Sequence, residues 1–292
     1  MHNKTIKQTA VLFCIAGMAA SVSAYGAKES GSDTRQKRPT AAVSIVPEKT
    51  FAEAVCGDRF DIVTMIPPGY SPENYEPVPQ ELEKFSTAAV YFSIGVPAES
   101  TNILPRLSGT TKLVSLADET AKVYPDLKMG DGRDPHIWMS PKRVIVIITS
   151  MAKEFAELDP ANGGLYKKNA GAYIGKIAAA EREIVTTLKP VKNRSFIVFH
   201  PAFGYFADDF GLKMYALEEE GKEASAARMM NLITTARKEH ITAVFYQAEI
   251  DSSQSQALAE EIGGKTVKLE PLSPDYIPNL KLMAATIAGT MK

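Results

Sequence analysis

The chain holds four histidines, and two of them stand where an imidazole could hold an ion. His200 ends the apolar run Phe196-Ile197-Val198-Phe199 and precedes Pro201-Ala202-Phe203-Gly204-Tyr205-Phe206. Residues just past the carboxyl end of a strand face the ligand crevice of an open α/β sheet. By itself such a histidine serves equally well as a ligand or as a hydrogen-bonding loop residue. His136 lies in Asp134-Pro135-His136-Ile137-Trp138-Met139-Ser140-Pro141. Two prolines stiffen this loop, and Ser140 is placed to cap a helix that starts at Pro141. A side chain on a stiff loop loses little entropy when it coordinates. His240, in Arg237-Lys238-Glu239-His240, reads as a solvated helix end.

Two carboxylates occupy comparable places. Glu270 follows the strand-like Thr266-Val267-Lys268-Leu269 and precedes Pro271. Glu73 sits in the proline-rich turn Pro67-Pro68-Gly69-Tyr70-Ser71-Pro72-Glu73-Asn74-Tyr75-Glu76-Pro77. A loop carboxylate is ordinarily just solvated, so both stand on placement alone. Two imidazoles and two carboxylates make a donor set for a borderline divalent ion. Zinc takes such nitrogen and oxygen donors tetrahedrally, and manganese or ferrous iron suits the carboxylate-rich mixture. A set that leaves no open position favours holding the ion over using it in catalysis.

The elements that must position these residues alternate. Short β-branched runs at Ala41–Ile45, Asp61–Ile66, Ala89–Ser93 and Lys112–Leu116 are separated by helical patterns at Glu48–Val55 and Gln80–Phe85. A further helix is expected over Pro141–Leu158, and Tyr166–Leu188 reads as one long helix bounded by Asp159-Pro160 and Pro190. The pattern then restarts, with strands at Ser195–Phe199, Lys213–Leu217, Ala243–Tyr246 and Thr266–Leu269 and helices near Pro201–Phe210, Ala224–Glu239 and Ser253–Ile262. Two α/β halves on either side of one long helix are the natural parse, and a single large sheet with that helix as a crossover is the alternative.

The N-terminus reads as an export signal. Lys4 and Lys7 precede an apolar stretch from Ala10 to Val22, and Val22 and Ala24 fit a cut after Ala24. A lipoprotein acylated at Cys14 is the rival reading. Removal of the signal leaves one cysteine, Cys56, in an apolar-periodic helix end, where a small buried side chain is expected. The expected divisions are a signal peptide over 1–24, a disordered lead-in over 25–39, an N-terminal lobe over 40–159, a bridging helix over 160–190 and a C-terminal lobe over 191–292. A net charge of -1 argues against a nucleic-acid partner, because such proteins carry a basic surplus.

The loops together resemble those of the zinc- and manganese-specific solute-binding proteins of ABC transporters. The resemblance runs from Pro39 onward and rests on Ser71-Pro72-x-x-Tyr75-Glu76-Pro77, Asp134-Pro135-His136-x-Trp138, His200-x-Ala202-Phe203-x-Tyr205-Phe206 and Leu269-Glu270-Pro271-Leu272. It implies two (β/α)4-type lobes with parallel sheets, bridged by one long rigid helix. It implies metal ligation by Glu73, His136, His200 and Glu270, with one Zn2+ or Mn2+ ion as the transported ligand. It also implies a periplasmic monomer that hands its ion to an inner-membrane ABC permease.

The sequence departs from the family in three places. The family usually has histidine where Glu73 stands and aspartate where Glu270 stands, and the histidine-rich loop of some zinc members is missing between Asp118 and Arg133. A metal-dependent hydrolase with Glu73 as base is a second reading, unsupported by any His-Glu-x-x-His motif. A binding protein for a chelated metal, a siderophore or corrinoid, is a third, and it would need a wide aromatic cleft.

Overall fold

The computed structural model describes residues 38–218, 221–250 and 253–291. The signal segment, its cleavage point, Cys14 and all but the last two residues of the lead-in lie outside them.

The first half runs β1 (Thr40–Val43), α1 (Val46–Cys56), β2 (Asp61–Thr64), α2 (Pro79–Phe85), β3 (Val90–Ser93), β4 (Lys112–Ser115) and α3 (Leu116–Ala121). A short antiparallel pair, β5 (Lys128–Met129) and β6 (Gly132–Arg133), leads to α4 (Pro141–Leu158) and then to α5 (Gly163–Leu188). The second half holds β7 (Ser195–Val198), α6 (Gly204–Phe210), β8 (Lys213–Ala216), α7 (Ala226–Lys238), β9 (Ala243–Gln247), α8 (Ser253–Glu261), β10 (Lys265–Leu269) and α9 (Tyr276–Thr290). The expected strands and helices fall where the periodicity put them, within a residue or two at most ends. The starts of α5 and α6 shift most: α5 begins early, at Gly163, and α6 late, because Pro201–Phe203 is spent on a turn. Helix α9 is an addition. Its Pro278 sits in the first turn, where a missing N–H costs no hydrogen bond.

Two separate parallel sheets form, not one. Their orders are β2-β1-β3-β4 and β10-β9-β7-β8. Counted from the first strand of each half, both follow the order second, first, third, fourth, so the halves repeat in topology without repeating in sequence. In each sheet the switch point falls between the first and third strands, and ligand crevices open at such points.

Helix α5 carries buried Tyr166, Ala170, Ile177, Ala180, Ile184 and Leu188 at helical spacing and packs on α4, α9 and α1. Helix α4 presents Val144, Ile147, Ile148, Met151 and Phe155 as a stripe of the same kind. Phe155 meets Phe60, Phe92 and Tyr166 in a tilted aromatic cluster. Cys56 is fully buried in this core, and burial pushes its thiol up to about 11, so it packs as an apolar side chain. His240 is exposed, in the turn that follows α7.

Beyond the carboxyl ends of β1 and β3 lies a buried polar knot. Glu48 accepts the N–H groups of Ser44 (2.9 Å) and Ile45 (3.0 Å), which holds the start of α1. Glu99 accepts from the N–H groups of Ile94 (2.9 Å) and Gly95 (2.7 Å) and from the Ser93 hydroxyl (2.6 Å). Burial and the nearby Glu99 push the Glu48 carboxyl well above its ordinary range. The knot satisfies strand-end N–H groups that would otherwise be buried unpaired.

Candidate metal centre

His136 is held by Asp134 at both its backbone and its ring. Its backbone N–H donates to Asp134 Oδ1 at 2.9 Å, and its Nδ1 lies 2.7 Å from the same oxygen. The loop continues through a 3-10 turn, Ile137–Met139, to Ser140, whose hydroxyl accepts the Arg143 N–H and caps α4. Trp138 is buried and donates its indole N–H to the Pro271 carbonyl at 3.0 Å, while the Tyr276 hydroxyl donates to the Trp138 carbonyl at 2.8 Å. The loop is therefore clamped to the chain beyond β10.

His200 follows β7 and is also buried, with Nδ1 3.0 Å from Glu218 Oε2. Glu218 follows β8, and its backbone N–H donates to the Phe199 carbonyl at 2.9 Å, so the paired strands set its position. With each Nδ1 facing a carboxylate, the Nδ1–H tautomer is favoured and each Nε2 is left to face inward. The two Nε2 atoms lie 3.1 Å apart. Glu73 Oε1 stands 3.3 Å from Nε2 of His200 and 3.7 Å from Nε2 of His136.

These separations suit a shared ion. Two donors at the usual 2.0–2.1 Å from zinc, set at the tetrahedral angle, lie roughly 3.3 Å apart. Octahedral cis donors at about 2.1 Å lie roughly 3.0 Å apart. The triangle of 3.1, 3.3 and 3.7 Å fits both, and a small adjustment of Glu73 closes it further. Glu73, His136 and His200 form the one such cluster of potential metal donors among the described residues.

The electrostatics are those of a site prepared for a cation. Burial raises the Glu73 carboxyl, but hydrogen bonds from both imidazoles and their charge outweigh it and hold the group down to about 2. Burial lowers His200, yet Glu218 and Glu73 outweigh that and bring it up to about 9. His136 is likewise raised against its burial, by Asp134 and Glu73, with the neighbouring His200 working in the opposite direction. Without an ion, protonated imidazole takes the place of the positive charge.

The space among these groups is small, about 10 Å³, which is roughly the room one water needs. Ser71, Pro72, Trp138, Gln247, Glu249, Ile250 and Leu272 complete its wall. A wider cleft of about 250 Å³ adjoins it, lined by the ends of β1, β2, β9 and β10, with Glu249 and Leu272 bordering both spaces.

Glu270 is not brought together with the other three. It lines the wider cleft, is 53% exposed and pairs with Lys268 Nζ at 2.7 Å. Its pairing with Lys268 holds the side chain in that cleft, although Leu272 of the same segment borders the metal space.

The two halves are locked beside the site. Asp209 of α6, buried, accepts from the Ser140 hydroxyl (2.6 Å) and pairs with Arg143 (3.3 Å) and Lys142 (2.6 Å) of α4. The Tyr205 hydroxyl donates to the Asp134 carbonyl at 3.1 Å, and the Leu127 N–H donates to that hydroxyl at 3.1 Å. Gly204 is packed so closely that a Cβ there would lie 2.6 Å from Asp134 Oδ2. Asp209, Glu218 and Gln247 are absent from the sequence-based set, although Glu218 and Gln247 obey the same strand-end rule that singled out His200.

Residues 42–290 match the family described as ZnuA, the periplasmic component A of zinc-uptake complexes. The high-affinity zinc uptake system protein ZnuA of Bacillus subtilis (strain 168) is 25% identical over 284 residues, covering 91% of this chain and 89% of that protein. A crystal structure of ZnuA superposes with a TM-score of 0.82 at 36% identity, covering 87% of this chain and 100% of the other. The periplasmic zinc-binding protein TroA from Treponema pallidum shares the fold, with a TM-score of 0.80 at 17% identity and coverage of 87% and 99%.

Proposed function

Because the chain belongs to the family of ZnuA, the periplasmic component of zinc-uptake complexes, we propose that it captures one divalent transition-metal ion, zinc or manganese, between its lobes and delivers it to the permease of an ABC importer. The observation that carries this reading is the convergence of Glu73 Oε1 and the two Nε2 atoms, each imidazole backed by its own carboxylate. Glu73, His136 and His200 are the proposed ligands. The lobes span 40–159 and 191–292, with 160–190 bridging them, and the protein acts as an exported monomer after cleavage behind Ala24.

Binding, with no catalysed reaction, is the proposed role because the space beside the donors admits a bare ion and nothing larger. A siderophore or corrinoid needs far more room than that. The Glu73 carboxylate, held ionised, is suited to ligation.

Elemental analysis of protein purified from its own periplasm, without added metal, tests the reading. One zinc or manganese per chain is expected, and none in protein carrying both His136→Ala and His200→Ala. Full metal content in that double variant would refute it.

A further inference from the structure

Three donors do not complete the shell of a zinc or manganese ion, and Glu270 faces Lys268 in the open cleft. The remaining carboxylate on the wall of the metal space is Glu249. We infer that Glu249, in the turn after β9, supplies the fourth ligand, an inference that rests on the proposed metal site.

The topology places this turn beside His200. In the register of the second sheet Val198 pairs with Phe245, and the Phe199 N–H donates to the Phe245 carbonyl at 2.7 Å. Two residues further along each chain, His200 and Gln247 come side by side at the switch point between β7 and β9, where crevices open. Glu249 follows within that same turn. Glu270 leaves β10 on the far side of β9, since Leu269 pairs with Gln247 and not with any residue of β7.

The chemistry of Glu249 agrees. Its Oε2 is shielded from solvent and has no hydrogen-bond partner among the described residues, and the same holds for Gln247 Nε2 beside it. Buried polar atoms are almost always paired, and leaving one without a hydrogen bond costs stability. A cation in the adjoining space satisfies it directly. The carboxylate lies outside the tight triangle of the other donors, so ligation requires it to turn inward about its own side-chain torsions. Two carboxylates and two neutral imidazoles then give the ion a neutral inner shell. The wider cleft, which Glu249 also borders, is the route by which an ion reaches it.

The test compares wild type, Glu249→Gln, Glu249→Asp, Glu270→Gln and His136→Ala. Zn2+ affinity is read by competition with a chromophoric chelator, and the shell is read from the visible spectrum of bound Co2+. Glu249→Gln should weaken Zn2+ binding by more than tenfold and alter the Co2+ bands, with Glu249→Asp falling between it and wild type. Glu270→Gln should stay within twofold of wild type with an unchanged spectrum. Unfolding of the ion-free variants checks that each folds. Wild-type affinity and spectrum in Glu249→Gln, or a loss in Glu270→Gln that Glu249→Gln lacks, would overturn the inference while leaving the site standing. Unimpaired binding in His136→Ala would show instead that the site itself is misplaced, and Glu249 with it.

Discussion

The Nε2 atoms of His136 and His200 lie 3.1 Å apart although 64 positions separate the two residues in the chain. Each comes from a different half, and each is turned inward by a carboxylate on its other nitrogen. A pair of this kind exists because α4 and α6 are pinned together through Asp209 and because Tyr205 reaches back to the Asp134 carbonyl.

The backing carboxylates should matter almost as much as the ligands. Asp134→Asn and Glu218→Gln each remove the anion that fixes a ring's tautomer and raises its basicity. Each should weaken zinc binding by about 10–100-fold, the usual range for such outer partners. His136→Ala or His200→Ala should cost more. Isothermal or chelator-competition titration checks both, and unchanged affinity in the two carboxylate variants would separate these groups from metal binding.

Metal binding should release protons at neutral pH and tighten well above the ordinary histidine range. In the ion-free protein His200 is held up at about 9, so at pH 7 it carries a proton that an incoming ion must displace. Affinity should therefore rise with pH, by up to about tenfold per unit for each displaced proton, and level off near 9. An affinity that levels off near the reference value of about 6.5 would contradict the pairing of His200 with Glu218 and Glu73.

The same groups make the ion-free fold pH-sensitive in a defined direction. The raised His200 contributes stability that is complete below its unfolded value of about 6.5 and is lost as pH rises through about 9. The lowered Glu73 contributes stability present above about 4.3 and lost as pH falls through about 2. Metal loading should remove the alkaline loss, because the ion replaces the proton, and should add about 4 kcal/mol at free metal 1,000-fold above Kd. Denaturant midpoints measured from about pH 2 to about pH 9, with and without zinc, read all of this.

Gly204→Ala should detune the site without touching a ligand. The new Cβ would meet Asp134 Oδ2 at 2.6 Å, and that carboxylate is buried and already holds the His136 ring and backbone. Its displacement should lower zinc affinity by up to the roughly 10-fold lower end of the outer-partner range. Equal affinity in wild type and Gly204→Ala would mean that the Asp134 contact has slack.

Glu73→His should shift selectivity toward zinc. It exchanges an anionic oxygen donor for a neutral nitrogen, and carboxylate oxygen suits manganese while imidazole suits zinc. The ratio of zinc to manganese affinity should rise relative to wild type and fall no lower in Glu73→Ala. Identical ratios and affinities in all three proteins would remove Glu73 from the shell.

Much of this protein is legible in its sequence because the relevant physics is local. Alternating β-branched runs and helical stripes depend on neighbours a few positions away, so the eight long strands, α4 and α5 can be read directly. His136 and His200 can be read too, because a stiff proline loop and a strand's carboxyl end are local signals for a crevice. What the local signal lacks is the order of strands. Glu218, Gln247 and Glu270 all stand at or just past strand ends, and nothing in their own segments says which strand lies next to β7. Hydrogen bonding across the sheet decides that, placing β8 and β9 on either side of β7 and β10 beyond β9. Through that order Glu218 backs His200 and the β9 turn borders the metal space, while the Glu270 side chain pairs with Lys268 in the cleft.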